Sequence, residues 1–199
     1  DLVGLFVGSE GMFGIATEIT LRLEPLPAAV RTLLAAFPSI RAASEAVGGI
    51  IAAGIVPAAM EMMDQACVRA VEASIYAAGY PADAAAVLLV EVDGSAEAVE
   101  AEAALVESLL LRHRATEVRT ATTAAERGRL WQGRKKAFGA MGRISPDLAV
   151  QDAVVPRSTL PDILDRVAAI AAHYRLGVAN VFHAGDGNLH PNISFDGGD

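Results

Sequence analysis

Ala85-Ala86-Val87-Leu88-Leu89-Val90-Glu91-Val92 is a short apolar run closed by Asp93-Gly94, and its length and β-branched content predict a buried strand. Ser95 follows as an N-cap, and Val99, Ala103, Val106 and Leu110 recur at helical spacing behind it. Glu97 and Glu100 stand early in that helix and Arg112 and Arg114 late, which complements its dipole. A further strand is expected over about 117–121. The same strand, helix, strand order surrounds this unit. Upstream lie a strand over 32–37, an alanine-rich helix over 39–53, a short segment through Met60 to Asp64 and a helix to about Ala77. Downstream come a basic helix over 123–141, a strand over 148–155, a helix capped by Ser158 and stopped by Gly177, and two strand-like pieces between 178 and 195. The alternation implies an α+β sheet with helices packed on one face.

Composition agrees. The chain has 199 residues, 53% of them apolar but only 5% aromatic, so its core is built from small aliphatic side chains. Net charge is -8, which argues against nucleic-acid binding, because neutralising phosphates requires clustered cations. Cys67 is the only cysteine, so no internal disulfide, cysteine-ligated zinc or iron–sulfur cluster can be built from these residues, and a reducing compartment is expected. The longest uncharged run, Ala46 to Met60, is shorter than the ~20 residues of a membrane span and contains Gly48, Gly49, Gly54 and Pro57. The chain begins at Asp1, which suggests a piece of something larger.

Three stretches carry candidate chemistry. In His183-Ala184-Gly185-Asp186-Gly187-Asn188-Leu189-His190 the histidines would be ~23 Å apart if extended, so they share a ligand only if the chain doubles back. Asp-Gly favours such a reversal. Two imidazoles suit zinc or a similar divalent cation but make half a site, and the alternative is that they only hold a turn. Arg127, Arg129, Arg134, Lys135 and Lys136 place five cations within ten residues, pointing either to an anionic ligand or to a solvated helix face. Arg134 stands out because Trp131 and Phe138 flank it. Gly8, Gly11 and Gly14 let backbone approach a ligand closely, but an alternating strand pattern (Ile15 to Leu23) follows instead of a helix, so this is not a dinucleotide fingerprint.

Together, residues 4–18, 130–147 and 178–191 resemble the FAD-linked 2-hydroxyacid oxidases and dehydrogenases of the vanillyl-alcohol-oxidase type. Within that family they are most like the FAD-linked subunit of bacterial glycolate oxidase, with D-lactate and D-2-hydroxyglutarate dehydrogenases as cousins. The resemblance implies that residues 1–28 end an FAD-binding domain, with Gly8, Ser9, Glu10, Gly11, Gly14 and Ile15 lining the flavin. It implies that 29–199 form a ferredoxin-like antiparallel cap domain, truncated at its C-terminus, that covers the flavin ring. Arg134 would bind the substrate carboxylate, Asn192 would contact substrate, and His183 and His190 would ligate a divalent metal of zinc or manganese type. Val150 and Gln151 stand where some cousins carry a lysine, which argues against a dicarboxylate substrate. The catalytic base and a third metal ligand would fall after Asp199, leaving these residues inactive alone. The substrate would be a short 2-hydroxy acid (glycolate or D-lactate), the partners iron–sulfur and second flavin subunits, with no nucleic acid. The location would be cytoplasmic, with peripheral attachment to the inner membrane through those partners. Two other classes fit the residues less fully: a non-catalytic ligand-binding or assembly module, and a metal-dependent hydrolase.

Overall fold

A computed structural model describes residues 1–198; Asp199, the far end of the expected cap domain, lies outside the described residues. In chain order the elements are α1 (Leu2–Phe6), β1 (Ala29–Phe37), α2 (Ile40–Ala52), β2 (Ala59–Asp64), α3 (Gln65–Glu72), β3 (Ala86–Gly94), α4 (Ala96–Arg112) and β4 (Glu117–Thr120). They continue with α5 (Ala124–Lys135), α6 (Ala137–Met141), β5 (Asp147–Val150), β6 (Ala153–Val154), α7 (Leu160–His173), β7 (Gly177–His183), β8 (Asn188–Leu189) and β9 (Pro191–Phe195).

The first four strands run β4-β1-β3-β2, all antiparallel, which is the ferredoxin-like order. β7 extends the sheet beside β2, and β8 and β6 follow, while β9 joins β7 to β5. The run that opened the sequence reading is the second strand in from the β4 edge. It pairs over nine residues with β1, from Ala29↔Gly94 to Phe37↔Ala86.

Because side chains alternate along a strand, the sheet has two faces with different covers. On the first, Leu33, Phe37, Met62, Leu88, Val90 and Phe182 pack under α2, α4 and α7. α2 presents Ala42, Ala43, Ala46 and Val47 there, small enough for close approach to the strands. Ser39 and Ser95 cap α2 and α4, the second as the sequence predicts. On the second face Leu34, Met63, Val87, Leu89 and Val181 pack under α3, α5 and α6. The helix layer is therefore not confined to one face: the long helices occupy the first, and three shorter ones cover part of the second. Those shorter helices bury part of it with Val68, Val71, Leu130, Ala137 and Met141.

Several local expectations need correction. Residues 15–23 form no strand and are exposed, since none of the described residues offers the neighbour that an alternating strand needs for its hydrogen bonds. α3 ends at Glu72 because that carboxylate accepts the Ala78, Gly79 and Tyr80 amides, turning the chain back. The basic helix breaks at Lys136 (φ -99, ψ 4) into α5 and α6. The strand over 148–155 is two short strands on different partners. Ser158 lies in a 3-10 turn (Arg157–Thr159), and Thr159 precedes α7 without a side-chain cap, its hydroxyl bonding back to the Pro156 carbonyl. Gly177, expected to stop α7, opens β7, and Tyr174 ends the helix.

Candidate functional site

The uncovered end of the second face carries a row of polar residues that strand register places side by side. Thr32 on β1 is opposite Glu91 on β3, and Glu61 on β2 is opposite His183 on β7. Arg127, Trp131 and Arg134 sit at helical spacing on α5, one stripe facing that row. A capping box at Thr123 and Glu126 starts α5. Two sheet carboxylates then dock the helix.

Glu91 accepts from Arg127 Nε and Nη2, both at 2.8 Å, from Trp131 Nε1 at 2.6 Å and from Thr32 Oγ1. Burial pushes the Glu91 carboxyl up, but the bonds from Arg127, Thr32 and Trp131 outweigh it and hold the group below its ordinary value of 4.5. A depressed acid contributes stability that is present above its unfolded value and lost as pH falls through its folded one. The melting-temperature gap between the wild-type chain and Glu91→Gln should thus be largest near neutrality, equivalent to about 1–3 kcal/mol. It should close as pH is lowered past 4.5, and a gap unchanged down to pH 3 in thermal melts would refute the assignment.

Glu61 forms the second docking point. Its Oε2 accepts from Arg134 Nε at 2.9 Å and Nη2 at 2.7 Å, and its Oε1 lies 2.7 Å from His183 Nδ1. Arg134 is 6% exposed and Glu61 8%, so this pair is largely out of water. Only the Nη1 edge of Arg134 stays clear of Glu61.

Gly187 (φ +75) turns the chain after β7 and brings the histidine rings to a centroid separation of 5.3 Å at 85°. His190 Nδ1 lies 3.5 Å from the exposed Asp152 carboxylate, and Phe138 on α6 meets its ring edge-on. Both rings thus turn Nδ1 toward a carboxylate and leave Nε2 for another partner, the usual arrangement around a metal-binding imidazole. No cluster of three or more metal-ligating side chains occurs among the described residues.

Asn192 is fully buried. Its Nδ2 donates to the carbonyls of Ala179 and His190, at 3.1 and 2.6 Å, and its Oδ1 has no partner. It supports the backbone of His190 and offers one unused acceptor. Asp64, which the sequence reading passed over, plays a similar part: it accepts from the Asn180 amide and side chain, and from Cys67 N, tying β2 to β7. Burial pushes the Asp64 carboxyl up.

The glycine segment is separate from this cluster. The hydrogen bonds and ion pair made by residues 1–28 are local, and Ser9 and Gly14 alone among them are even partly covered. Gly8 (φ +77) and Gly11 (φ +80) face open space, so their backbone could lie flat against a planar ligand. A groove of about 540 Å³ opens beside Glu91, Arg127 and Trp131, rimmed by Gln132, Lys135 and Lys136. His113 and His173 sit at the ends of α4 and α7, away from the cluster. Glu61 is the site residue the sequence reading missed. Its signal was a lone acidic residue inside the apolar run Ala59-Met60-Glu61-Met62-Met63.

Ferredoxin-like topology thus brings a buried arginine and two imidazoles to one face of the sheet. The chain belongs to the family of FAD linked oxidases, C-terminal domain, which residues 26–199 match. It is 53% identical over 196 residues to the glycolate oxidase subunit GlcD of Escherichia coli strain K12, covering 98% of this chain and 39% of that protein. The corresponding subunit of Bacillus subtilis is 42% identical, over 98% of this chain and 42% of that one. A mitochondrial D-lactate dehydrogenase [cytochrome] of Arabidopsis thaliana is 29% identical, over 98% and 34%. The chain thus spans about two fifths of the length of these relatives. Among solved structures, an alkyldihydroxyacetonephosphate synthase superposes with a TM-score of 0.70 at 16% identity, over 98% of this chain and 42% of that one. That likeness establishes the fold. No helix among the described residues is long and apolar enough to cross a membrane.

Proposed function

We propose that these residues form the substrate side of an FAD-dependent enzyme that oxidises a short 2-hydroxy acid, glycolate or D-lactate, to the 2-oxo acid. The observation that carries the reading is the Arg134–Glu61–His183 arrangement, which sets an anion-binding edge beside a pair of imidazoles in a chain half identical to a glycolate oxidase subunit.

In this reading the Nη1 edge of Arg134 holds the substrate carboxylate and fixes the orientation of C2. His183 and His190 would hold a divalent cation of zinc or manganese type, their Nδ1 atoms being turned toward Glu61 and Asp152. A cation held there would supply Lewis acidity toward the substrate hydroxyl, and FAD would supply the hydride acceptor. Asn192 steadies the backbone of His190 beside the substrate. Gly8, Ser9, Glu10, Gly11, Gly14 and Ile15 present backbone to the flavin, and residues 1–28 belong to the FAD-binding domain. The apolar side chains of that segment, such as Leu2, Met12, Ile15 and Leu26, stand more than 80% exposed here, which supports their packing against further protein. Iron–sulfur and second flavin subunits are the partners this reading carries, with a cytoplasmic location and peripheral attachment to the inner membrane through them.

The test is anaerobic mixing of the full-length flavoprotein with glycolate and with D-lactate. Bleaching of the flavin and reduction of a dye acceptor by either acid are expected. A flavin that stays oxidised with both acids overturns the proposal.

A further inference from the structure

We propose that Glu61 is a positioning residue that couples the anion-binding edge of Arg134 to the metal-facing edge of His183. For its catalytic meaning this rests on the function proposed above. Its geometry does not.

One carboxylate serves both groups. Oε2 takes the Nε and Nη2 hydrogens of Arg134, so the guanidinium is held flat with Nη1 directed away. Oε1 meets His183 Nδ1 at 2.7 Å. A carboxylate paired with arginine only accepts hydrogen bonds, so the proton of the neutral imidazole resides on Nδ1 and the lone pair on Nε2. The two functional edges are therefore set by one side chain. Glu61 is itself well placed to impose this, since it stands on a central strand, directly opposite His183 in register, and is 8% exposed. Asp64, three residues on in the same strand, bonds the Asn180 amide and so holds the two strands together beneath the pair.

Glutamine cannot substitute in kind. Arginine has no acceptor, so the oxygen of a glutamine at 61 must face Arg134, and its NH2 must face His183 Nδ1. That nitrogen must then accept, which moves the ring proton to Nε2. Glu61→Gln preserves shape and inverts the imidazole tautomer.

The experiment uses the full-length flavoprotein, stripped of metal, with 15N-labelled histidine rings and the His183 signal assigned by its loss in His183→Asn. Wild type should show the Nδ1–H form and Glu61→Gln the Nε2–H form. The variant should also bind Zn²⁺, added alone, 10–100-fold more weakly. Its kcat/KM for the 2-hydroxy acid should fall ~10²-fold, with KM raised and kcat lowered together. Glu91→Gln, which loosens α5 at its other docking point, should lower the melting temperature and leave the His183 tautomer unchanged. An Nε2–H ring in the wild type overturns the proposal without any variant having to fold. Retention of Nδ1–H in Glu61→Gln also overturns it. If the tautomers behave as expected while neither acid is oxidised, the positioning role stands and the proposed function falls.

Discussion

Replacing Arg134 by methionine should cost about 3–5 kcal/mol of folding stability, because it strands the Glu61 carboxylate, 8% exposed, without its counter-ion. For a chain of this size that corresponds to a fall in melting temperature on the order of 10 °C. Adding Glu61→Met in the same chain should restore most of the loss, since an apolar pair of similar volume avoids the desolvation of both charges. The double variant should therefore melt close to wild type, yet have no anion-binding edge. Lysine is a poor substitute at 134, because one ammonium cannot reproduce the paired contacts from Nε and Nη2. Urea or thermal unfolding of the four chains forms a double-mutant cycle. A single Arg134→Met variant that loses under 1 kcal/mol would mean that Glu61 is hydrated, and the site as described would be wrong.

Gly187→Ala should be nearly as damaging for a steric reason. A Cβ at this position would lie 2.1 Å from the Val155 carbonyl oxygen and 3.3 Å from its carbon, at a backbone φ of +75 that side chains rarely adopt. Backbone, unlike a side-chain tip, has no rotamer by which to withdraw. Relief requires parting β6 from β8 and breaking the Val155 N→Gly187 O bond. Strain and overlap together should cost about 2–4 kcal/mol. The local consequence is sharper: β8 carries the chain into His190, so the 5.3 Å ring spacing should be lost. Gly185→Ala two residues earlier meets Met60 side-chain atoms at 3.4 Å and its backbone nitrogen at an ordinary 3.8 Å, and should be tolerated. Ring-proton contacts between His183 and His190 by NMR, with melting temperatures, check both. A Gly187→Ala chain that keeps those contacts and melts like wild type would refute the turn's role.

Much of the fold was legible along the chain. β3 follows from a short apolar run that is buried on both faces, α2 from its alanine-rich stretch, and α4 from its apolar period behind the Ser95 cap. The reversal at His183 to His190 was likewise readable, since Asp186-Gly187 suits only a few backbone conformations. The strand over 15–23 was misjudged for the converse reason: alternation describes a face to be covered, and among the described residues nothing covers it. Helix ends at Glu72 and Lys136 escaped notice because side-chain acceptors and a local kink, not glycine or proline, set them.

The site divides in the same way. Arg134, His183 and His190 stood out by residue type and spacing, and the fold brings the three together around Glu61. Their partners did not stand out. Glu61 lies 73 residues from Arg134 and 122 from His183, and it becomes a bridge only when β2 pairs with β7 and α5 brings Arg134 to it. The basic stretch that read as one cationic face is divided by packing: Arg127 is spent on Glu91, Arg134 on Glu61, and the exposed lysines rim the groove beside them. Periodicity and turn chemistry are local and survive in one dimension. Which acid meets which base depends on strand register, and register is fixed by the burial of Met63, Leu89 and Val181 on the face those charges share.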